Sequence, residues 1–301
     1  MPKFSVVIPS YNRSTFLKSA IESVLKQDFS DFELLVIDDG STDQTQTMVN
    51  ELSERDKRIK YIFQSNGERG KARNNGFDHA KGEYVVFLDS DDEFLPGHLS
   101  HLNELSEQHP EVLLLATNYE FFENGKSIKA PIDNIEEGFH DYSVLLRGNP
   151  FASNVCVKKS NPSYIPFPED RTYSAMEDWM FLFSNLWTKN LFLSKKSTVR
   201  MNEHPNRSMR FHTDIIQKRE LATAFLIQHF SFSKREKKQL KGNTFYFLAI
   251  HSYLDHKKAQ AIRYFFKSFL LLGPSKKLLI LFPKIIVGQK MISQLKNKFR
   301  S

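Results

Sequence analysis

The chain has 301 residues, 40% of them apolar, which predicts a globular protein and excludes a disordered one. Its single cysteine, Cys156, excludes an intramolecular disulfide and fits a reducing compartment; its apolar neighbours predict a buried side chain rather than a nucleophile. The formal charge of +7 is concentrated in residues 257–301, which contain 11 Lys or Arg and no Asp or Glu, whereas the rest of the chain carries a net charge of −4.

The first third of the chain alternates short apolar runs with amphipathic segments. The apolar run at 4–9 predicts a strand buried on both faces, and further strands are predicted at 32–37, 59–63 and 84–88. Ser14 is predicted to cap a first helix, Ser41 or Thr42 a second, and a third is predicted at 71–80. This alternation predicts an α/β fold with a mostly parallel sheet and helices on both faces.

The remainder is more mixed. Pro96 is predicted to start a helix that ends near His109, and two strands are predicted at 112–117 and 119–122 before an Asn124-Gly125 turn. A helix is predicted at 176–189, and mainly helices from Asp214 onward, with a break at Gly273-Pro274. The chain enters a strand pattern almost at once, and the most apolar stretch, 278–287, is interrupted by Pro283-Lys284. We therefore expect neither a signal peptide nor a spanning helix, and a cytoplasmic protein.

Three polar segments directly follow predicted strands: Pro9 to Asn12, Asp38-Asp39, and Asp89 to Asp92. Ligands of an open parallel sheet bind beyond the carboxyl ends of its strands, so these segments are expected to converge at one edge. The ring of Tyr11 can stack on a base, and Asp39 can accept a hydrogen bond from a base imide, which favours uracil. Asp38 is expected to orient the loop or to contact a ribose. A turn with a helix cap is the alternative for this pair.

The segment Asp89-Ser90-Asp91-Asp92 places three carboxylates within four residues, and their repulsion is best relieved by a cation. Mg²⁺ and Mn²⁺ prefer such oxygen ligands. We assign Asp91 as the main metal ligand, with Asp89 sharing the metal or reaching the ribose, and Asp92 as a cap of the next segment. Lys71 and Arg73, early in the third helix, are expected to neutralise a diphosphate, and an ordinary helix surface is the alternative for Arg73.

Two further segments contain candidate catalytic groups. Asp178, in Glu177-Asp178-Trp179 at a helix start, can act as a general base; compensation of the helix dipole is the alternative. His204 is expected to complete the metal shell or to touch a phosphate, with Arg207 and Arg210 nearby. A surface-loop histidine is the ordinary alternative.

Together these segments resemble a family-2 glycosyltransferase with the GT-A nucleotide-sugar fold. The matching pieces are Val6 to Arg13, Val36 to Asp43, Ala72-Arg73-Asn74, Gly82 to Asp92 and Glu177-Asp178-Trp179. The resemblance implies that Tyr11 and Asp39 hold the base, that Asp89 and Asp91 form the metal-binding DxD element, and that Asp178 is the catalytic base of an inverting transfer. The donor-binding candidates are Pro9, Tyr11, Arg13, Asp39, Lys71, Arg73, Asp89 and Ser90; the metal candidates are Asp91, Asp89 and His204.

The expected donor is a nucleotide-diphosphate sugar, specifically a UDP-sugar, and the expected acceptor is a carbohydrate or a lipid-linked molecule in surface polysaccharide or glycolipid synthesis. The absence of a Gln-x-x-Arg-Trp motif favours addition of a single sugar per event. We expect a nucleotide-sugar-binding half at 1–95, an acceptor-binding half at 96–213, and a basic helical region at 214–301.

Two other function classes remain as alternatives. A sugar-phosphate nucleotidyltransferase would carry a glycine-rich loop with a basic residue where Pro9 to Asn12 stand. A non-catalytic nucleotide-sugar-binding protein would not need Asp91 and Asp178. A dinucleotide oxidoreductase is disfavoured because no G-x-G-x-x-G follows the first strand.

Aromatic side chains interleave with the basic residues of 257–301. They are Tyr264, Phe265, Phe266, Phe269, Phe282 and Phe299. This pattern predicts peripheral contact with an anionic membrane surface, and no nucleic-acid module or partner is expected. A packed helical hairpin with solvated lysines is the alternative.

Overall fold

The structure is a computed structural model that describes residues 1–152, 154–204, 207 and 212–288. The chain forms two compact units. The first contains Met1–Val144 and Asn149–Pro205, and the second contains Leu145–Gly148 and Asn206–Ser301. The predicted division at residues 95 and 213 concerns functional roles and stays a prediction. Arg210 and Phe299 lie outside the described residues.

The first unit is built on one mixed sheet, in which ten strands are formed by described residues. They are β1 (Phe4–Ser10), β2 (Phe32–Asp38), β3 (Ile59–Phe63), β4 (Tyr84–Phe87), β5 (Asp92–Phe94), β6 (Leu114–Glu123), β7 (Lys126–Lys129), β8 (Gly138–His140), β9 (Cys156–Lys158) and β10 (Leu191–Asn202). The order is β3-β2-β1-β4-β9-β6-β10-β5, with β7 paired to β6 and β8 to β10. The predicted α/β class and mostly parallel first third are confirmed, since β3, β2, β1 and β4 are parallel neighbours.

Five helices accompany the sheet: α1 (Ser14–Leu25), α2 (Thr45–Arg55), α3 (Glu68–His79), α4 (His98–Gln108) and α5 (Glu177–Leu186). Gly76 lets α3 lie against the sheet, because a Cβ at this position would come within 2.3 Å of Val7 Cγ1. Gly40 has a φ of +83° in the loop after β2, a backbone conformation that favours glycine.

The strand ends are brought together by the parallel pairing of β1 with both β2 and β4. Every residue of β1 and β2 is buried, including the polar Ser5 and Glu33, as expected for strands covered on both faces. Val6 pairs with Leu34 on one side and with Val86 on the other. The carboxyl ends of the three strands therefore lie at the same sheet edge, where the backbone N–H of Asp39 donates to Ser10 O at 2.8 Å.

Several local predictions are wrong. Ser14 is the first residue of α1 rather than its cap, and neither Ser41 nor Thr42 caps α2, whose cap position is Gln44. The two strands predicted at 112–117 and 119–122 are the single strand β6. Asp92 was expected to cap the next segment, but it belongs to β5, and its Oδ1 accepts the backbone N–H of Asn202 at 3.1 Å.

The second unit is helical: α6 (His212–His229), α7 (Lys234–Leu254), α8 (Lys258–Leu272) and α9 (Lys276–Val287). The predicted helices and the break at Gly273 are confirmed, and Pro283 lies inside α9 without ending it. Ser233 and Glu236 form a reciprocal capping box at the start of α7. The core of this unit contains Leu248, Ala261, Phe265, Leu278, Leu281 and Ile285.

Among the helices that the structure describes, none combines the length and the apolar character needed to cross a bilayer.

Candidate active site

The end of β2 carries two buried carboxylates, of which Asp39 faces the loop before α3. Its Oδ1 accepts hydrogen bonds from Gln64 Nε2 and from the backbone N–H of Gly67, both at 2.7 Å, and its Oδ2 accepts one from Asn66 Nδ2 at 3.1 Å. Burial raises the pKa of Asp39, while the bonds from Gly67 and Gln64 oppose that rise. The backbone N–H of Glu68 also interacts with this carboxylate and lowers its pKa, so Asp39 is held by the start of α3 as well as by the loop before it.

The neighbouring Asp38 is used by its own loop. Its Oδ1 accepts the backbone N–H of Ser41 at 2.8 Å, and its Oδ2 accepts the hydroxyl of Tyr61 at 2.6 Å. Burial and the adjacent Asp38 raise the pKa of Tyr61, which keeps this phenol protonated as a donor. Of the two roles expected for Asp38, these contacts are those of loop orientation.

The loop after β1 is locked to the loop after β2. Asn12, with a φ of +50°, accepts the backbone N–H of Thr42 at 2.7 Å through Oδ1 and donates its own N–H to Ser41 Oγ at 2.9 Å. Pro9 is buried within β1, whereas the side chain of Tyr11 is 49% exposed. An aromatic ring is thus presented to solvent beside a rigid turn.

The acidic cluster follows β4. Asp89, Asp91 and Asp92 each offer a carboxylate oxygen, and these oxygens lie within 4.8 Å of one another. Ser90 between them is buried. Three carboxylates at this spacing repel each other unless positive charge lies among them.

Two arginines and a histidine contact this cluster. Arg13 Nη1 donates to Asp91 Oδ2 in a short contact, and His204 Nε2 lies 2.8 Å from the same oxygen. Arg73 Nη2 donates to Asp89 Oδ1 at 2.7 Å. The pairing of Arg13 with Asp91 was not expected, since the sequence predicted that Arg13 binds the nucleotide-sugar donor.

His204 is buried, unlike an ordinary surface-loop histidine. Its ring stacks on Phe16, with centroids 4.6 Å apart. Within the described part of the chain, its buried Nδ1 has no hydrogen-bond partner. The imidazole is therefore held beside Asp91 mainly by stacking and by one polar contact.

The ligand atoms that this cluster offers suit a hard divalent cation. Three carboxylates supply oxygen ligands of the kind that Mg²⁺ and Mn²⁺ prefer, and an imidazole is an accepted further ligand for Mn²⁺. His204 faces the cluster through Nε2, which lies 2.8 Å from Asp91 Oδ2. The residues present therefore fit the metal implied by the sequence.

Arg73 links the acidic cluster to the start of α5. Its side chain is buried, and Nη1 donates to Glu177 Oε1 at 3.1 Å while Nη2 donates to Asp89. Burial alone would lower the pKa of Arg73, but Asp89 and Glu177 outweigh it and raise that pKa. Lys71, by contrast, is exposed on α3.

Asp178 lies at the start of α5 next to Glu177. Its Oδ1 accepts the backbone N–H of Trp179 at 2.7 Å, and its Oδ2 accepts Asn149 Nδ2 at 3.0 Å. Burial and the charge of Glu177 raise the pKa of Asp178 to about 6, against the opposing effect of Arg73. A carboxylate with a pKa close to neutral can accept a proton from a substrate hydroxyl.

Sequence reasoning missed four residues that support the site. Gln64, Asn66 and Asn149 hold Asp39 or Asp178, and Glu177 pairs with Arg73. No motif marks the first three, because amides in loops are common. Glu177 stood in a quoted motif, but its partner lies 104 residues earlier in the chain.

The amino-acid sequence is similar to known glycosyltransferases. The profile of the family described as Glycosyl transferase family 2 matches residues 5–161. A GalNAc(5)-diNAcBac-PP-undecaprenol beta-1,3-glucosyltransferase from Campylobacter jejuni is 46% identical over 110 residues, covering 36% of each chain. An uncharacterized glycosyltransferase from Haemophilus influenzae is 30% identical over 264 residues, covering 86% of this chain and 99% of the relative.

Solved structures share the fold. TarS 1-349 from S. aureus in complex with UDP-GlcNAc superposes with a TM-score of 0.61 at 22% identity, covering 91% of this chain and 93% of the other. The mannosyltransferase PcManGT from Pyrobaculum calidifontis, in complex with GDP-Man and Mn²⁺, gives a TM-score of 0.58 at 17% identity, covering 95% and 80%. At these identities the likeness shows the fold alone.

Proposed function

This chain belongs to glycosyltransferase family 2 and has the GT-A fold, and from that premise we propose that it transfers one sugar from a UDP-sugar to an acceptor hydroxyl with inversion. The observation that carries the proposal is that three groups of carboxylates lie in the same unit. Asp39 lies at the end of β2, the Asp89–Asp91–Asp92 cluster follows β4, and Asp178 is linked to that cluster through Glu177 and Arg73.

The donor site is proposed at the shared edge of β1, β2 and β4. Tyr11 stacks on the base and Asp39 accepts its imide N–H, while Arg13, Lys71 and Arg73 contribute positive charge near the diphosphate. Pro9, Asp89 and Ser90 shape the donor pocket. The UDP and UDP-GlcNAc complexes of TarS support a uridine donor, whereas the GDP-Man complex makes guanosine the nucleotide to test against it.

The metal is proposed to be held by Asp91, Asp89 and His204. When bound there, Mn²⁺ or Mg²⁺ would supply positive charge that stabilises the departing diphosphate. Arg13 and Arg73 already pair with the same carboxylates, so they limit the repulsion within the cluster in the absence of donor.

Asp178 is proposed as the general base. Its carboxylate accepts the proton of the acceptor hydroxyl as that oxygen attacks the anomeric carbon from the face opposite the nucleotide. The bond from the anomeric carbon to the diphosphate oxygen breaks, and the electron pair leaves with the nucleoside diphosphate. One carboxylate suffices because the leaving group is already activated, whereas a hydrolase needs two.

The acceptor is proposed to be a carbohydrate or lipid-linked molecule of a surface polysaccharide or glycolipid. The printed name of the C. jejuni relative, which includes an undecaprenol-linked diphosphate glycan, supports a lipid-linked acceptor. That relative matches over only 36% of its length, so its acceptor is a starting point for a screen and not an assignment.

The test begins with binding, which needs no acceptor. Calorimetry of the whole chain with UDP and with GDP, each with Mn²⁺ or with a chelator, should show metal-dependent binding of UDP. Product analysis with a panel of nucleotide sugars and lipid-linked acceptors should then show release of the nucleoside diphosphate. Release of pyrophosphate would instead favour a nucleotidyltransferase, and metal-dependent binding without turnover would favour a non-catalytic binding protein.

A further inference from the structure

The second unit exposes an apolar surface on α8 and α9, which we call the apolar face. Its side chains are all exposed: Phe266, Phe269, Leu270, Leu279, Phe282 and Ile286. The rings of Phe266 and Phe282 lie 6.1 Å apart between centroids, so the exposed surfaces of the two helices meet. Clustered exposed apolar groups of this kind mark interaction sites more often than single exposed ones.

Helix α9 is apolar on two adjacent faces. Leu278, Leu281 and Ile285 are buried in the core of the unit, at the spacing of one helical face. The neighbouring positions Leu279 and Ile286 are exposed and lie on another face, together with Phe282. The core of the unit accounts for the first face, but the described residues leave the second open to solvent.

The segment that contains the apolar face carries charge of one sign. Residues 257–288 contain seven Lys or Arg and no Asp or Glu. Lys276 and Lys284 are exposed on α9 itself, and Arg263 is exposed one turn before Phe266 on α8. Basic side chains that flank an apolar helical surface are typical of helices that lie in the headgroup region of an anionic membrane.

We propose that the apolar face binds the surface of an anionic lipid bilayer, with α8 and α9 lying against the interface. Helix α9 has 12 residues, so at 1.5 Å per residue it is about 18 Å long, against a hydrocarbon core of about 30 Å. It suits an interfacial position and not a spanning one. A second copy of the chain is disfavoured as the occupant, because it would bring seven further positive charges against the same surface.

This assignment goes beyond the proposed glycosyl transfer and does not depend on it, since vesicle binding is measured without donor or acceptor. The probe is vesicle flotation of the whole chain with phosphatidylcholine alone and with phosphatidylcholine mixed with phosphatidylglycerol. We expect flotation with the mixed vesicles, and weaker flotation with neutral vesicles or at raised salt concentration.

The apolar contribution is tested by the pair Leu270→Glu and Leu279→Glu, whose side chains are 78% and 66% exposed, so the fold should tolerate the change. The matched control is Leu221→Glu, an exposed leucine of α6 in the same unit. The double variant should bind mixed vesicles at least roughly tenfold more weakly than the original chain. The control should bind as the original chain does. Thermal melts of all variants should show that each is folded.

The charge contribution is tested by Lys276→Gln with Lys284→Gln, against Lys234→Gln with Lys238→Gln on α7, which are likewise exposed. The first pair should weaken binding to mixed vesicles by roughly tenfold and leave binding to neutral vesicles unchanged. The proposal is overturned if the original chain does not float with mixed vesicles, or if the leucine pair binds as well as its control. It is also overturned if light scattering shows a dimer that the leucine pair converts to a monomer, because a second copy then covers the apolar face.

Discussion

At the scale of single residues, the proposed chemistry depends on how Asp178 is surrounded. Burial and Glu177 disfavour its charged form, whereas Arg73 and two hydrogen-bond donors favour that form. The balance leaves a carboxylate whose pKa of about 6 is well above that of an exposed aspartate. This environment supports the proposed role of Asp178 as a general base over compensation of the helix dipole.

Asp178→Asn should remove the base while preserving the shape of the site. We expect transfer to fall by about 10²- to 10⁴-fold, with UDP affinity changed by less than roughly threefold. Rapid-quench turnover and calorimetry measure the two quantities. Asp78→Asn, an exposed carboxylate of α3, is the matched control and should keep full activity. Near-normal turnover of the Asp178 variant would remove this residue from the role.

The pH dependence tests the same residue through Asn149, which donates to Asp178 Oδ2. Since the base must be deprotonated, kcat/KM of the original chain should rise with pH through an inflection near 6. Asn149→Ala removes a donor that stabilises the carboxylate, so the inflection should move to higher pH by roughly one unit or less. A lower plateau with an unmoved inflection would mean that Asn149 only supports the fold of its loop.

At the scale of secondary-structure elements, polar side chains decide where helices begin. Ser14, Ser41 and Thr42 were predicted to cap helices, but the side chain that accepts hydrogen bonds at these helix starts is Asp43. Its Oδ2 accepts the backbone N–H of Ser14, and its Oδ1 accepts the N–H and hydroxyl of Thr45. Burial alone would raise the pKa of Asp43, but the hydrogen bonds from Thr45 and Ser14 outweigh it and lower that pKa. One carboxylate thus serves the starts of α1 and α2, which a reading of each helix alone does not reveal.

A buried polar chain joins α4 to the sheet. His98 Nδ1 lies 2.8 Å from Thr198 Oγ1 on β10, and Thr198 donates to Thr117 Oγ1 on β6 at 2.7 Å. Because the Thr198 hydroxyl donates onward, His98 Nδ1 acts as the donor and Nε2 is unprotonated. Burial lowers the pKa of His98 to about 3. The folded protein therefore holds this imidazole neutral.

Stability should consequently depend on pH through His98. Between about 6.5 and about 3 the unfolded chain binds a proton here and the folded chain does not. Stability therefore rises with pH in this window and is lost as the pH falls below 6.5, by roughly 1 kcal/mol per pH unit. Chemical denaturation of the original chain and of His98→Gln measures the difference in slope. Equal slopes in the two proteins would contradict the assignment, since all other titrating groups are common to both.

The long strand β10 shows why most of the sheet beyond β4, apart from β6, was not predicted. Its apolar start, Leu191 to Leu193, is followed by Lys195 and Lys196, where the register with β6 shifts. A charged irregularity breaks the alternation by which strands are identified. The short strand β9 has three residues and pairs antiparallel with both β4 and β6, so it exists only because those partners flank it.

At the scale of the whole molecule, the chain divides into a unit that contains the proposed site and a basic helical unit. Tyr11, Asp39, Asp91, Asp178 and His204 all belong to the first unit. Ligand binding should therefore raise the melting temperature of that unit specifically. The apolar face belongs to the second unit and is open to a separate test.

Metal removal tests the link between the acidic cluster and stability. UDP with Mn²⁺ at 100 times Kd should stabilise the original chain by about 2.7 kcal/mol, and a chelator should abolish most of that gain. Asp91→Ala should lose the metal-dependent part, as shown by the shift in melting temperature with and without Mn²⁺. Asp170→Ala, at an exposed position, is the control and should respond like the original chain. A full metal-dependent shift in the Asp91 variant would exclude Asp91 as the main ligand.

The sequence by itself determined the α/β class, the strands of the first third, the family resemblance and the convergence of three polar segments at one edge. These follow from local patterns, because a buried run of apolar residues specifies a strand and parallel order specifies which ends meet. Only the tertiary structure decided which charges pair. Arg13 and His204 reach Asp91 across 78 and 113 residues, and burial near Glu177 raises the pKa of Asp178. Such contacts depend on distance and burial in the folded chain, which no local pattern encodes.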